Sequence, residues 1–282
     1  MTQREIVAVQ ASQPSRDGDG VAINRVSLMG DPGTDPVLLV DELRSPFRED
    51  FAGGFPPHPH RGMQTLTYMK DGGIIHEDSM GNRGEIRSGG AQWMSAGSGV
   101  IHSEMPTQDT QGLHGFQLWF NLPAAEKMAP PRYRDIPHAD LTHHIGDGFS
   151  AAVVAGDWVL NGEATSGPLH ELAAQGSLLD LDIDANTTVT LTLPETDTAL
   201  AYIYAGDIIE QSAQIPSRHL VIVGLGTTWQ ISSGEQGAGL LVMTGRPIRE
   251  PVVGYGPFVM NTREEIDQAI RDYQAGVLVQ RA

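Results

Sequence analysis

The chain is 282 residues long, 40% of them apolar and 19% charged, with a formal net charge of -17 and no cysteine. That balance describes a globular protein of one or two domains with a substantial core, and it excludes disulfides, zinc–thiolate sites and cysteine nucleophiles. The negative charge repels phosphate backbones, and no basic run along the chain offsets it, so direct nucleic-acid binding is not expected.

In chain order, Met1-Thr2-Gln3-Arg4-Glu5 lacks the apolar core of a signal peptide, and no apolar run approaches the length of a membrane span. A cytoplasmic protein without membrane association is expected. The first chemical motif is His58-Pro59-His60. Met63 to Met69 then alternates and carries Thr65, Thr67 and Tyr68, which favour strands. Asp71-Gly72-Gly73 reads as a turn, Ile74 to Asp78 as a strand, and Gly81-Asn82-Arg83-Gly84 and Ser88-Gly89-Gly90 as further turns. Gln92 to Ala96 and Val100 to Met105 follow as strands separated by Gly97-Ser98-Gly99, and Leu113 to Leu122 is the next. Strands this short and evenly spaced, in a chain with 33 glycines and 18 prolines, predict a β-sandwich or barrel.

The second chemical motif, His102-Ser103-Glu104, lies on one of these strands. Residues two apart on a strand point to the same face, so two adjacent strands could aim His58, His60, His102 and Glu104 at one point. Three imidazoles and one carboxylate suit a divalent transition metal and leave positions for water or substrate. A single histidine is more often structural or solvent-facing. Two such pairs in Gly- and Pro-rich settings strengthen the metal reading, although spacing permits convergence without requiring it.

Proline and charge cluster between Ala124 and His138, which reads as a linker between domains at 1–137 and 138–282. Strands are expected over Ala151–Leu160, Ser177–Ile183, Thr187–Leu193, Ala199–Tyr204, His219–Val223 and Gly239–Thr244. No His-x-His or His-x-Glu occurs beyond residue 140, and the adjacent His170 and Glu171 would point to opposite faces of a strand. A barrel without metal is expected there. Near the end, Thr262 and Glu265 form a capping-box pattern before Ile266, Ala269, Ile270 and Tyr273, and Gly276 closes the helix. Its apolar stripe should pack on a sheet.

The motifs resemble the pirin family of the cupin superfamily. Phe55 to Gly62 and His76 to Gly84 resemble its first motif region, and Gln92 to Pro106 its second. Gln117 to Pro123 and Gly256 to Thr262 also fit, while residues 140–240 are similar more loosely. The resemblance implies an all-β bicupin: two face-to-face jelly-roll barrels with a C-terminal helix and metal in the N-terminal barrel only. It places the metal ligands on His58, His60, His102 and Glu104 and implies iron(II), with other divalent metals able to occupy such a site. Some members are similar to quercetin 2,3-dioxygenases, which implies oxidation of a flavonol or catechol-like substrate, with Glu104 as the one ligand able to double as a base. Others are iron-containing regulators, which implies the alternative of a redox sensor that docks a protein partner. An enzyme needs an open cavity above the metal large enough for a flavonol.

Four residues after the second histidine of the first motif, where pirins commonly carry glutamate, this chain has Gln64. On an unbroken strand Gln64 shares the parity of His58 and His60 and should face the metal, where its amide cannot ionise. Either His76 or His114 could orient a ligand, though a hydrogen-bonded structural role is the commoner one. Asp78, Ser79 and Asn82 read as a turn, and His138, His143 and His144 as solvent-facing. Trp93, Met94, Phe116 and Trp119 read as core, with Phe51 and Phe55 at the pocket mouth.

Overall fold

The computed structural model of the chain describes residues 2–279. The strands before residue 140 are β1 (Ile6–Ala11), β2 (Gln13–Asp17), β3 (Val21–Ser27), β4 (Val37–Ser45), β5 (Phe55–His60), β6 (Met63–Asp71), β7 (Gly73–Asp78), β8 (Arg83–Arg87), β9 (Ala91–Ser95), β10 (Val100–Pro106), β11 (Leu113–Asn121) and β12 (Arg132–Ile136). After it come β13 (Thr142–Gly146), β14 (Phe149–Ala155), β15 (Asp157–Leu160), β16 (Glu163–Ser166), β17 (Ser177–Ile183), β18 (Thr188–Thr192), β19 (Thr198–Glu210), β20 (Ala213–Pro216), β21 (His219–Val223) and β22 (Thr228–Gly245). A short hairpin, β23 (Val253–Tyr255) and β24 (Phe258–Met260), leads into the helix α1 (Arg263–Gln274). The fold is all-β with one C-terminal helix.

Contacts divide the chain into two units, neither of which is a continuous stretch. One comprises Gln13–Asp31, Val37–Ala139 and Ile248–Ala282, and the other Met1–Ser12, Pro32–Pro36 and Asp140–Pro247. The first unit has a seven-stranded antiparallel sheet, β12-β9-β6-β11-β4-β3-β2, and a four-stranded one, β5-β10-β7-β8. The helix α1 belongs to it. The Thr262 side chain accepts from Glu265 N while Glu265 returns to the Thr262 backbone, a complete capping box. Ile266 and Ala269 are buried against Phe258 and Met260 of the hairpin, whereas Tyr273 stays exposed.

The second unit is built on an eleven-stranded sheet whose main path is β1-β21-β19-β22-β17-β14-β13. Its interior is apolar and anchored by Trp158 and Trp229 among leucines, valines and isoleucines. Alternation explains it: Leu179, Leu181 and Ile183 of β17 and Ala201 and Ile203 of β19 all enter this core.

Three readings of the sequence are corrected. The proposed linker contains β12, which pairs with β9 from Arg132↔Ser95 to Ile136↔Ala91. Its polar composition is that of an edge strand at the end of the sheet rather than of a free connection. Arg83 and Gly84 start β8 instead of completing a turn, because they pair with Glu77 and His76. The stretch Ala151–Leu160 is two strands broken at Gly156, whose φ of 75° the chain needs to turn.

Candidate metal centre

The two motifs sit on neighbouring antiparallel strands. His58 of β5 stands opposite His102 of β10, His60 opposite Val100, and an irregularity between His102 and Glu104 places Glu104 opposite Phe55. The strand pairing therefore brings the four candidate ligands to one side of the four-stranded sheet. The His58, His60 and His102 ring centroids lie 4.3–4.9 Å apart. Each offers a nitrogen within 4.8 Å of the others. His60, His102 and Glu104 are buried, and His58 is half-buried.

The hydrogen bonds leave one ring nitrogen of each histidine for a metal. His58 Nδ1 lies 2.9 Å from Pro56 O, and His60 Nδ1 lies 3.3 Å from Pro257 O. A carbonyl accepts only, so these Nδ1 atoms carry protons and the Nε2 atoms keep lone pairs. His102 Nε2 is buried with no partner in the protein. A buried polar atom without a partner is costly, and a metal ion would satisfy it. Burial, helped by the neighbouring His58, pushes His60 down to about 3; burial and the histidine neighbours hold His102 well below the usual range. Both rings are thus neutral near pH 7, as ligation requires. The residues fit a divalent metal.

Beside the cluster, between the two sheets, lies a cavity of about 790 Å³. His58, His60 and Glu104 face it from the four-stranded sheet. Met29, Leu39, Met69 and Phe116 give it an apolar wall, and Phe55 and Pro56 stand at the β5 side. Trp119 also lines it, with its ring 5.3 Å from that of His60 in an edge-on contact. Trp119 is thus cavity wall where the sequence suggested core. Trp93, Met94 and Phe116 are fully buried, and Phe51 is core rather than pocket mouth.

Gln64 corrects a further expectation. β5 ends at His60, and the chain turns at Gly62, whose φ is 80°, before β6 starts in the other sheet. The parity count from His60 does not survive that corner. Thr67 and Met69 line the cavity, so Gln64 lies on the opposite face of β6, where its amide reaches the Ser95 hydroxyl at 3.5 Å. The residue that touches Glu104 is Thr67, whose Oγ1 lies 3.2 Å from Glu104 Oε1 and 2.5 Å from Gln117 Oε1.

Sequence reasoning missed the cavity's far side altogether. Arg25 binds Asp41 through two contacts, of 2.8 and 2.6 Å, and reaches Asp17 at 2.5 Å. All three line the cavity. Burial holds the Asp41 carboxyl above its ordinary value even against the Arg25 charge. Nothing in the linear order of Asp17, Arg25 and Asp41 suggests a site; only strand pairing joins them.

The other histidines divide clearly. His76 is buried behind His102, with Nδ1 of each ring 3.3 Å apart. His114 instead meets Glu42, 3.2 Å from its Nε2. His138 and His143 are exposed, whereas His144 is partly covered and stacks on Phe149. Asp78 does build the expected turn, accepting from Met80 N and Asn82 N.

Comparison with known proteins agrees with this architecture. The pirin family profile matches residues 31–120, and the profile of the pirin C-terminal cupin domain matches residues 178–279. A Vibrio cholerae protein that carries the provisional name quercetin 2,3-dioxygenase is 44% identical over 97% of both chains. A pirin-like protein of Caulobacter vibrioides is 37% identical over 98% of this chain and 99% of its own. The crystal structure of a quercetin 2,3-dioxygenase from Acinetobacter baumannii superposes with a TM-score of 0.89 at 30% identity, covering 98% of both chains.

Proposed function

We propose that this chain, which belongs to the pirin family, is a metal-dependent dioxygenase that oxidises flavonols or related catechol-like polyphenols. The observation that carries this reading is the cavity beside the histidine cluster. Its 790 Å³ falls within the ~300–1,000 Å³ of small-molecule sites, and its mostly apolar wall with a few polar groups is that of a pocket for an aromatic ring. A redox sensor could work with a narrow or closed site, whereas an enzyme needs this room.

We assign His58, His60, His102 and Glu104 as ligands and iron(II) as the metal. When bound, the metal would supply Lewis-acid polarisation of a substrate oxygen and a route for electrons toward dioxygen. The protein's part follows from its own residues. Trp119, Phe116, Leu39 and Met69 enclose the ring and exclude water, which strengthens every polar contact inside. Glu104 faces the cavity and takes the proton of the substrate hydroxyl. Thr67 contacts one oxygen of Glu104, which leaves the carboxylate aimed at the cavity. Arg25 and Asp41 on the opposite wall offer a donor and acceptors to hydroxyls at the far end of the substrate.

The test is oxygen uptake by iron-loaded protein with quercetin, with metal content measured in parallel. Wild type should hold one equivalent of metal and consume oxygen only when quercetin is present. His60→Ala should lose both properties. Full metal loading without oxygen uptake on quercetin or a simple catechol would overturn the enzymatic reading in favour of the partner-docking regulator.

A further inference from the structure

The hydrogen bond on the far side of His102 leads away from the cavity. In the four-stranded sheet, His102 of β10 is opposite Asp78 of β7, and Glu104 is opposite His76. His76 and Asp78 are two apart on β7, so both share the face that carries the cluster. Nδ1 of His102 lies 3.3 Å from Nδ1 of His76, and Nε2 of His76 lies 3.4 Å from Asp78 Oδ2. The side chains of His76 and Asp78 are 1% and 0% exposed, so water does not compete for these contacts.

Two imidazole nitrogens at hydrogen-bond distance need one proton between them. With the unpartnered Nε2 of His102 given to a metal, the His102 proton sits on Nδ1 and His76 Nδ1 accepts it. The His76 proton is then on Nε2, directed at a carboxylate. Asp78 is itself fixed: its Oδ1 accepts from Met80 N and Asn82 N, and its Oδ2 from Asn82 Nδ2 at 2.8 Å. Those bonds and the one from His76 hold its carboxyl below the usual range against burial, so it is an ionised acceptor. The Tyr133 ring covers His76 at 4.9 Å while its hydroxyl donates to Asp135, so Tyr133 seals the relay without joining it. Gly84, opposite His76, leaves the room Tyr133 occupies: a Cβ there would overlap the Tyr133 hydroxyl.

We propose that His76 and Asp78 are positioning residues that fix the His102 tautomer and aim its Nε2 at the metal. The inference rests on the metal reading above. A competing arrangement exists, because His76, His102 and Glu104 also offer ligand atoms within 4.8 Å of one another. Ligation by the Nδ1 atoms of His76 and His102 would leave His102 Nε2 buried and unsatisfied, which is why the relay is preferred.

Zinc(II) serves as a diamagnetic probe. Nitrogen–proton correlation spectra of the zinc-loaded wild type should show His58, His60 and His102 ligated through Nε2, with His76 unligated and protonated on Nε2. Zinc affinity, from competition with a chelator, should fall about 10–100-fold in His76→Phe. His76→Asn should recover most of the loss, because its amide oxygen sits near the place of Nδ1 and accepts from His102. Asp78→Asn should show a smaller loss. A ligated His76, a His76 proton on Nδ1, or wild-type affinity in a folded His76→Phe would each overturn the relay. The wild-type spectra decide the matter even where a variant does not fold. A wild type that takes up no zinc at His58 and His60 would overturn the metal reading itself, and the relay with it.

Discussion

Gly62→Ala tests how the corner between β5 and β6 holds the metal residues. Gly62 has a φ of 80°, and an alanine there costs roughly 1–2 kcal/mol for the left-handed backbone alone. The new Cβ would also overlap the Val259 carbonyl oxygen, which is backbone and cannot swing aside. That oxygen accepts from Lys127 Nζ at 3.0 Å, and Val259 N donates to Arg61 O at 3.0 Å. Moving β24 to make room sacrifices at least the charge-assisted bond, a further ~1.5–3 kcal/mol. The sum is about 2.5–5 kcal/mol. The same hairpin carries Pro257, whose carbonyl contacts His60 Nδ1, so the displacement also loosens a ligand.

Gly30→Ala is the matched control. Gly30 has a φ of 84° and nothing near its missing Cβ, so only the backbone term applies, ~1–2 kcal/mol. Urea denaturation of both variants without metal gives the two losses, and metal titration then reads the effect on the site. Gly62→Ala should be the less stable by about 1.5–3 kcal/mol and should bind metal more weakly. Equal losses, or unchanged metal affinity in Gly62→Ala, would refute the argument that the Gly62 corner positions His60.

Three further outcomes are expected. Thr67→Val removes a hydroxyl from Glu104 at nearly constant volume, so metal affinity should drop about tenfold, the lower end for a lost supporting contact, and a titration matching wild type would exclude that role. Arg61→Ala breaks a part-buried pair with Asp272 at 2.7 Å and a buried bond to Ser98 O at 2.6 Å, so denaturation should register a loss of about 2 kcal/mol, chiefly from the carbonyl left without a donor, whereas under 1 kcal/mol would mean the contacts are only incidental. Burial pushes Lys127 from 10.5 down to about 8, so between those values the unfolded chain binds the extra proton and stability rises with pH. The stability of wild type relative to Lys127→Met should therefore climb across that window by up to about 3 kcal/mol, less whatever its bonds to Gly62 O, Asn121 Oδ1 and Val259 O offset; a flat difference contradicts the sign.

The candidate ligands were legible because their information runs along strands. His58-x-His60 and His102-x-Glu104 each declare a shared face through spacing alone, and the antiparallel pairing of β5 with β10 needs only to juxtapose them. The helix was legible for the same local reason, from Thr262, Glu265 and the stripe after them. Gln64 failed because the parity argument assumed one strand where a left-handed glycine separates two sheets. β12 failed because an exposed edge strand and a polar linker have the same composition.

The far wall of the cavity was illegible in principle, because its information runs across strands. Asp135, Gln92, Thr67, Gln117, Asp41, Arg25 and Gln13 stand opposite one another in register through all seven strands of the larger sheet. Nothing in the sequence links these residues, and the row exists only once register is fixed. His76-x-Asp78 is the instructive middle case. It has the same spacing as the ligand pairs, yet Asp78 also begins the turn that Ser79, Gly81 and Asn82 announce, and the turn was the more visible reading. The structure gives the two carboxylate oxygens separate tasks: Oδ1 receives the turn's backbone N–H groups, and Oδ2 faces His76. One side chain thus ties the β7–β8 turn to the ring behind His102, and a change to that turn should be felt at the metal before it is felt in the core.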